Sequence, residues 1–119
     1  MKRTLLLLVC AYMFTGIATA QLANNGATIV MTPGINLVMD NLSLDNNGVF
    51  NQTAGTVIFR GNINALVSGS MAPAFYLLKL DKPGATLQLQ TGISINNKLQ
   101  FTSGLLDLNS QIVLLDPAG

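Results

Sequence analysis

Only 9% of this 119-residue chain is charged, half of it is hydrophobic, and its formal net charge is +1. That composition is the reverse of a disordered chain's, and so even a balance offers no field to hold a polyanion, which excludes nucleic-acid binding. The length allows one domain at most.

The N-terminus has the three parts of a cleavable secretory signal in order. Lys2 and Arg3 give the positive start, Leu5 to Ile17 the apolar run, and Ala18-Thr19-Ala20 the small residues that a signal peptidase reads. Cleavage is expected between Ala20 and Gln21, with residues 1–20 a helical signal peptide. A membrane anchor would need about 20 apolar residues, and Thr15-Gly16 interrupts a shorter run. Cys10, the only cysteine, lies inside that run behind Val9, which does not fit a lipidation site. The mature chain then has no disulfide and no thiolate chemistry. It is expected to be secreted or outer-surface, with no stable membrane span after cleavage.

Beyond residue 20 the apolar residues do not recur at helical spacing; they alternate in short pieces, as on strands with one buried face. Candidate pieces are Ile29–Val30, Ile35 with Leu37, Leu42 with Leu44, Val49–Phe50 and Val57 with Phe59. Turn signals separate them at Pro33-Gly34, Asn46-Asn47-Gly48, Ala54-Gly55 and Gly61-Asn62. Ser68 to Pro73 reads as a loop between coils, and Lys82-Pro83-Gly84 closes the apolar run from Phe75 to Leu80. The clearest alternation runs from Thr86 to Phe101, through Leu87, Leu89, Ile93, Ile95 and Leu99. Breakers are expected at Thr91-Gly92, Asn96-Asn97, Ser103-Gly104 and Asn109-Ser110.

Pieces begin at Leu87, Ile93, Leu99, Leu106 and Ile112, six or seven residues apart. Sandwich strands return at about 8–12 residues and transmembrane barrel strands need about 9–11 residues each, so both are too long. Three pieces make one turn of nineteen residues, and a shift of nineteen superposes Leu87 on Leu106, Leu89 on Leu108, Ile93 on Ile112 and Ile95 on Leu114. The expected fold is all-β: a parallel β-solenoid over residues 21–119, about nineteen residues per coil, in which each coil stacks on the next. Asp116-Pro117-Ala118-Gly119 follows a strand piece without a polar cap, so the segment is expected to be the N-terminal part of a longer protein.

Two stretches carry a resemblance. One runs from Ala74-Phe75-Tyr76-Leu77 to Lys82-Pro83-Gly84 and then Leu99-Gln100-Phe101-Thr102-Ser103-Gly104-Leu105-Leu106-Asp107-Leu108-Asn109; the other comprises Asn46-Asn47-Gly48-Val49-Phe50 and Gly55-Thr56-Val57-Ile58-Phe59-Arg60-Gly61-Asn62. They resemble repeats in large secreted β-helix surface proteins of Bacteroidetes-type bacteria. The resemblance implies an exported stalk or repeat body, often ending in a sorting domain. It carries no catalytic motif onto these positions.

With no histidine anywhere and no thiol after processing, acid–base work would fall to Asp40, Asp45, Asp81, Asp107 and Asp116. No two of them are spaced to stack on one face, and Asp107, between two inward leucines, should point outward. Asp45-Asn46-Asn47-Gly48 resembles part of a calcium loop, but Ala54 stands where the bidentate carboxylate belongs. No catalytic, cofactor-binding or metal-ligating residue is assigned. The expected function is a non-catalytic structural or adhesive segment, with surface polysaccharide or further coils of the same chain as partners. A fragment of a polysaccharide-processing β-helix enzyme and a self-assembling fibre subunit are the alternatives.

Overall fold

The computed structural model describes residues 20–116. Residues 1–19 of the expected signal peptide, with Cys10 and Ala18, lie outside them; Ala20 and Gln21 lie inside, and Gln21 begins the first strand. Among the described residues there is no helix, and every strand pair is parallel. The chain is a β-solenoid of about five turns.

Each turn is built of three strand segments. β1 (Gln21–Asn24), β2 (Thr28–Ile29) and β3 (Asn36–Asp40) form the first coil. β4 (Ser43–Asn46), β5 (Val49–Phe50) and β6 (Thr56–Arg60) form the second, and β7 (Ala65–Ser68) opens the third. β8 (Ala74–Leu89) and β9 (Ile93–Asp107) each run through corners, and β10 (Val113–Leu115) ends the stack. Three faces result. The first stacks β1, β4, β7, the end of β8 and the end of β9. The second stacks β2, β5, the start of β8, the start of β9 and β10. The third stacks β3, β6 and the middles of β8 and β9.

Stacked residues share a direction, so inward positions form columns. Leu22, Leu44, Val67 and Leu89 make one; Leu37, Val57, Leu78 and Leu99 another; Met39, Phe59, Leu80 and Phe101 a third. Inner members of the last two columns are at most 2% exposed. Phe75 sits where the faces meet, edge-on to Phe50 (centroids 5.4 Å apart) and to Phe59 (6.3 Å). Each such contact adds about 0.5–1.5 kcal/mol to simple burial.

The sequence expectations are met in architecture and corrected in period. Leu87 does lie on Leu106, nineteen residues on. Elsewhere the partners are up to 23 residues apart, as for Leu44 and Val67. Ile93 therefore pairs with Val113 rather than Ile112, and Ile95 with Leu115 rather than Leu114. Coil length varies because the corners vary while the rungs must stay in register.

Three expected breaks are not breaks. Lys82-Pro83-Gly84 lies within β8, and Asn96-Asn97 and Ser103-Gly104 within β9. The two strands bend around the corners together through register shifts. Asp81 pairs with Ser103 and Thr86 with Leu105, so four residues of β8 bulge against the single Gly104. Gly104 has φ +90°, and a Cβ there would stand 2.5 Å from the Lys82 carbonyl oxygen. Phe101, expected on the buried face, is 55% exposed because its column ends there.

Candidate functional site

Four of the nine charged residues after residue 20 gather at one corner: Asp40, Arg60, Asp81 and Lys82. The fold brings them there by register, since Asp40, Arg60, Asp81 and Ser103 occupy successive rungs at the end of the third face. This corrects the expectation that no two aspartates share a face. Asp40, Arg60 and Asp81 line a shallow groove of about 500 Å³ with Asn41, Gly61, Asn62 and Pro83. Arg60 Nη2 donates to Asp40 Oδ2 at 3.3 Å, with both side chains about half exposed. Ser103 Oγ donates to Asp81 Oδ1 at 2.7 Å. Asn41 has φ +54° and turns its Oδ1 to accept from the Ile63 amide at 3.0 Å, which holds the groove's floor.

Beneath the groove, Lys82 is fully covered by its neighbours, although the corner is shallow and surrounds it with fewer atoms than the deep columns have. Its Nζ donates to the Arg60 carbonyl at 3.3 Å. Loss of hydration lowers its pKa below the usual lysine value, and the nearby Asp40 charge offsets part of that. The ammonium thus ties the third coil to the second.

Asp40 and Asp81 stand two rungs apart, so their backbones are separated by about 10 Å. Arg60 fills the rung between them. The remaining aspartates are dispersed. Asp45 accepts from Ser68 Oγ at 3.4 Å, and Asp107, outward as expected, accepts from Gln88 Nε2 at 3.0 Å. Among the described residues, no three His, Cys, Asp or Glu side chains come together as metal ligands.

Sequence reasoning missed the buried polar groups. Asn46 is wholly buried, although Asn46-Asn47-Gly48 does form a corner. It accepts from Asn24 Nδ2 at 3.0 Å and donates to the Gly48 and Met71 carbonyls at 3.1 and 2.9 Å. Gln52 bridges coils in the same way: its Oε1 takes the Met31 amide and its Nε2 meets the Ile29 carbonyl, both at 2.7 Å. A signal was present. Asn24-Asn25-Gly26 and Asn46-Asn47-Gly48 are the same tripeptide, 22 residues apart, which is the spacing at which β1 pairs with β4.

No family model, curated protein or solved structure matches the chain. The class is given by the coordinates alone: a parallel β-solenoid. Its particular features are a charged corner groove and an internal amide ladder.

Proposed function

We propose that this chain is a non-catalytic extracellular or cell-surface segment, a stiff solenoid body that displays ladders of polar side chains to surface polysaccharide. The resemblance to secreted repeat proteins of Bacteroidetes-type bacteria and the signal-like leader support export. The observation that carries the reading is the corner groove. Asp40 and Asp81 accept hydrogen bonds and Arg60 donates them, on adjacent rungs and open to water. Such a pattern of alternating donors and acceptors matches the hydroxyls of a glycan strand. The test is a glycan array probed with the labelled chain, with Arg60→Ala and Asp81→Ala as variants. Glycan binding lost in both variants supports the reading; binding that neither variant changes removes it.

A second reading has one observation in its favour. Two carboxylates about 6.5–9.5 Å apart are the equipment of an inverting glycosidase, and two rungs put Asp40 and Asp81 near that range. Arg60 stands against it, because it fills the place where water and sugar would enter. Reducing-sugar release from a polysaccharide panel, abolished by Asp40→Asn and Asp81→Asn, would establish the enzyme; no release above the buffer rate leaves the binding segment.

A further inference from the structure

Three corners turn the spiral, and two of them are knitted by amides. Asn46 and Asn47 bond across coils between the first and second faces, and Asn41 and Asn64 do so between the third and first. The corner between the second and third faces is built differently. There the first two coils make matching turns, Pro33-Gly34 and Ala54-Gly55, with glycine φ angles of +82° and +83°. The turns stack, the Thr56 amide donating to the Ile35 carbonyl at 2.9 Å. The third coil cuts this corner. Between the rungs that pair Asn51 with Ala74 and Thr56 with Leu77, the second coil has Gln52 to Gly55 and the third only Phe75 and Tyr76. The longer turns stand out past the shorter one and leave a groove of about 320 Å³, with Tyr76 half-buried at the step. Small-molecule sites begin at about that size.

No charged side chain lines this groove. Its polar side chains are the hydroxyls of Thr53, Thr56 and Tyr76 and the amide of Asn36. None of these four hydrogen-bonds to a described residue. We propose that the groove binds one uncharged pyranose ring of a neutral glycan. Such a ring has an apolar C–H face and a rim of hydroxyls. Its face packs on the tyrosine ring, whose negative π-surface attracts the polarised C–H groups. Its rim meets hydroxyl and amide groups that both donate and accept and that the fold leaves unused. An ionic ligand would find no counter-charge here. A purely apolar one would strip water from four polar groups and give nothing back. The charged corner lies at the other end of the same strands, since Asn36 and Asp40 bound β3 and Thr56 and Arg60 bound β6, about 13 Å apart. This groove adds a second site to the glycan reading and shares no residue with the first, so either can fail alone.

The test uses the chain expressed from Met1, purified as its host processes it, with Tyr12→Phe in place. The sequence has no tryptophan and two tyrosines, so tyrosine fluorescence then reports Tyr76 alone. Neutral oligosaccharides of β-1,4-glucose, β-1,3-glucose and β-1,4-mannose are titrated, with oligogalacturonate as the charged comparison. At least one neutral oligosaccharide should change the Tyr76 emission saturably, and equally at about 0.1 M and about 1 M salt, because no charge takes part. By calorimetry, Tyr76→Ala should weaken that binding at least about tenfold, and Tyr76→Phe, which keeps the ring, should weaken it less. Thr53 is exposed, so Thr53→Arg fills the groove without disturbing the core and should abolish binding. Arg60→Ala should leave it unchanged. Neutral-glycan binding that survives both Tyr76→Ala and Thr53→Arg overturns the inference; if Arg60→Ala removes that binding, the sugar sits at the charged corner instead. Failure of every neutral oligosaccharide to bind overturns it as well, whatever oligogalacturonate does at the corner.

Discussion

Asn46→Ala is the most informative single substitution in the body of the solenoid. Asn46 is 0% exposed and its side chain makes three hydrogen bonds, to Asn24, Gly48 and Met71. Alanine removes all three. Asn24 Nδ2 keeps its bond to the Ala27 carbonyl and the carbonyl of the exposed Met71 can turn to water, but the Gly48 carbonyl loses its side-chain donor at a buried position. A buried group left unsatisfied costs about 1–3 kcal/mol, and the vacated space adds to that, so the loss should be about 2–4 kcal/mol. A domain's whole stability is about 5–15 kcal/mol, so the variant should fold but melt early. Urea unfolding followed by circular dichroism reads this as a lower midpoint at unchanged slope. Asn62→Ala, at an exposed corner position, is the control and should stay within about 0.5 kcal/mol. If Asn46→Ala loses no more than Asn62→Ala, the amide ladder is not what holds these coils together.

Other outcomes follow from the same geometry. Gly69 has φ +117°, and a Cβ there would sit 2.0 Å from the Asn46 carbonyl oxygen, whereas Gly84 (φ +70°) has open space around it. In thermal melts Gly84→Ala should therefore cost about 1–2 kcal/mol, the conformational term alone, and Gly69→Ala clearly more. Lys82 titrates below its usual value of 10.5 because burial disfavours its charge. The unfolded chain thus holds the proton to higher pH, and stability should rise with pH through the interval between the lowered value and 10.5. Unfolding of the wild type and Lys82→Met, compared from neutral pH to about pH 10.5, should show this rise only in the wild type. Phe59→Ala should cost about 3–5 kcal/mol in denaturant unfolding, since the ring is fully buried. Phe101→Ala, in the same column but half exposed, should cost well under half of that at concentrations where the chain is monomeric. Arg60→Ala should change stability by less than about 1 kcal/mol, because its partner Asp40 is open to solvent.

The spiral was legible from Leu87 and Leu106 because alternation and spacing survive in sequence wherever a rung is straight. Its period was legible only there. Corners absorb between-rung differences with extra residues, as β8 does opposite Gly104, and a fixed shift of nineteen then slides off register by Ile93. Polar residues in the core were hidden for a different reason. Asn46 and Lys82 sit in strings that read as turns, but both lie on strands that bend at corners, and a corner of a solenoid has an inside as well as an outside. The charged corner was illegible for want of the right spacing: Asp40 and Asp81 meet through two unequal coils, of 20 and 21 residues, that no single repeat predicts.

The central claim is that inward side chains a coil apart stand directly on one another. Methyl-to-methyl nuclear Overhauser contacts in a chain labelled at leucine and valine test it best. Strong contacts between Leu87 and Leu106, between Leu44 and Val67, and between Val57 and Leu78 are the expected result. Cross-peaks that instead join antiparallel neighbours, with those three pairs silent, would contradict the stacked spiral and everything built on it.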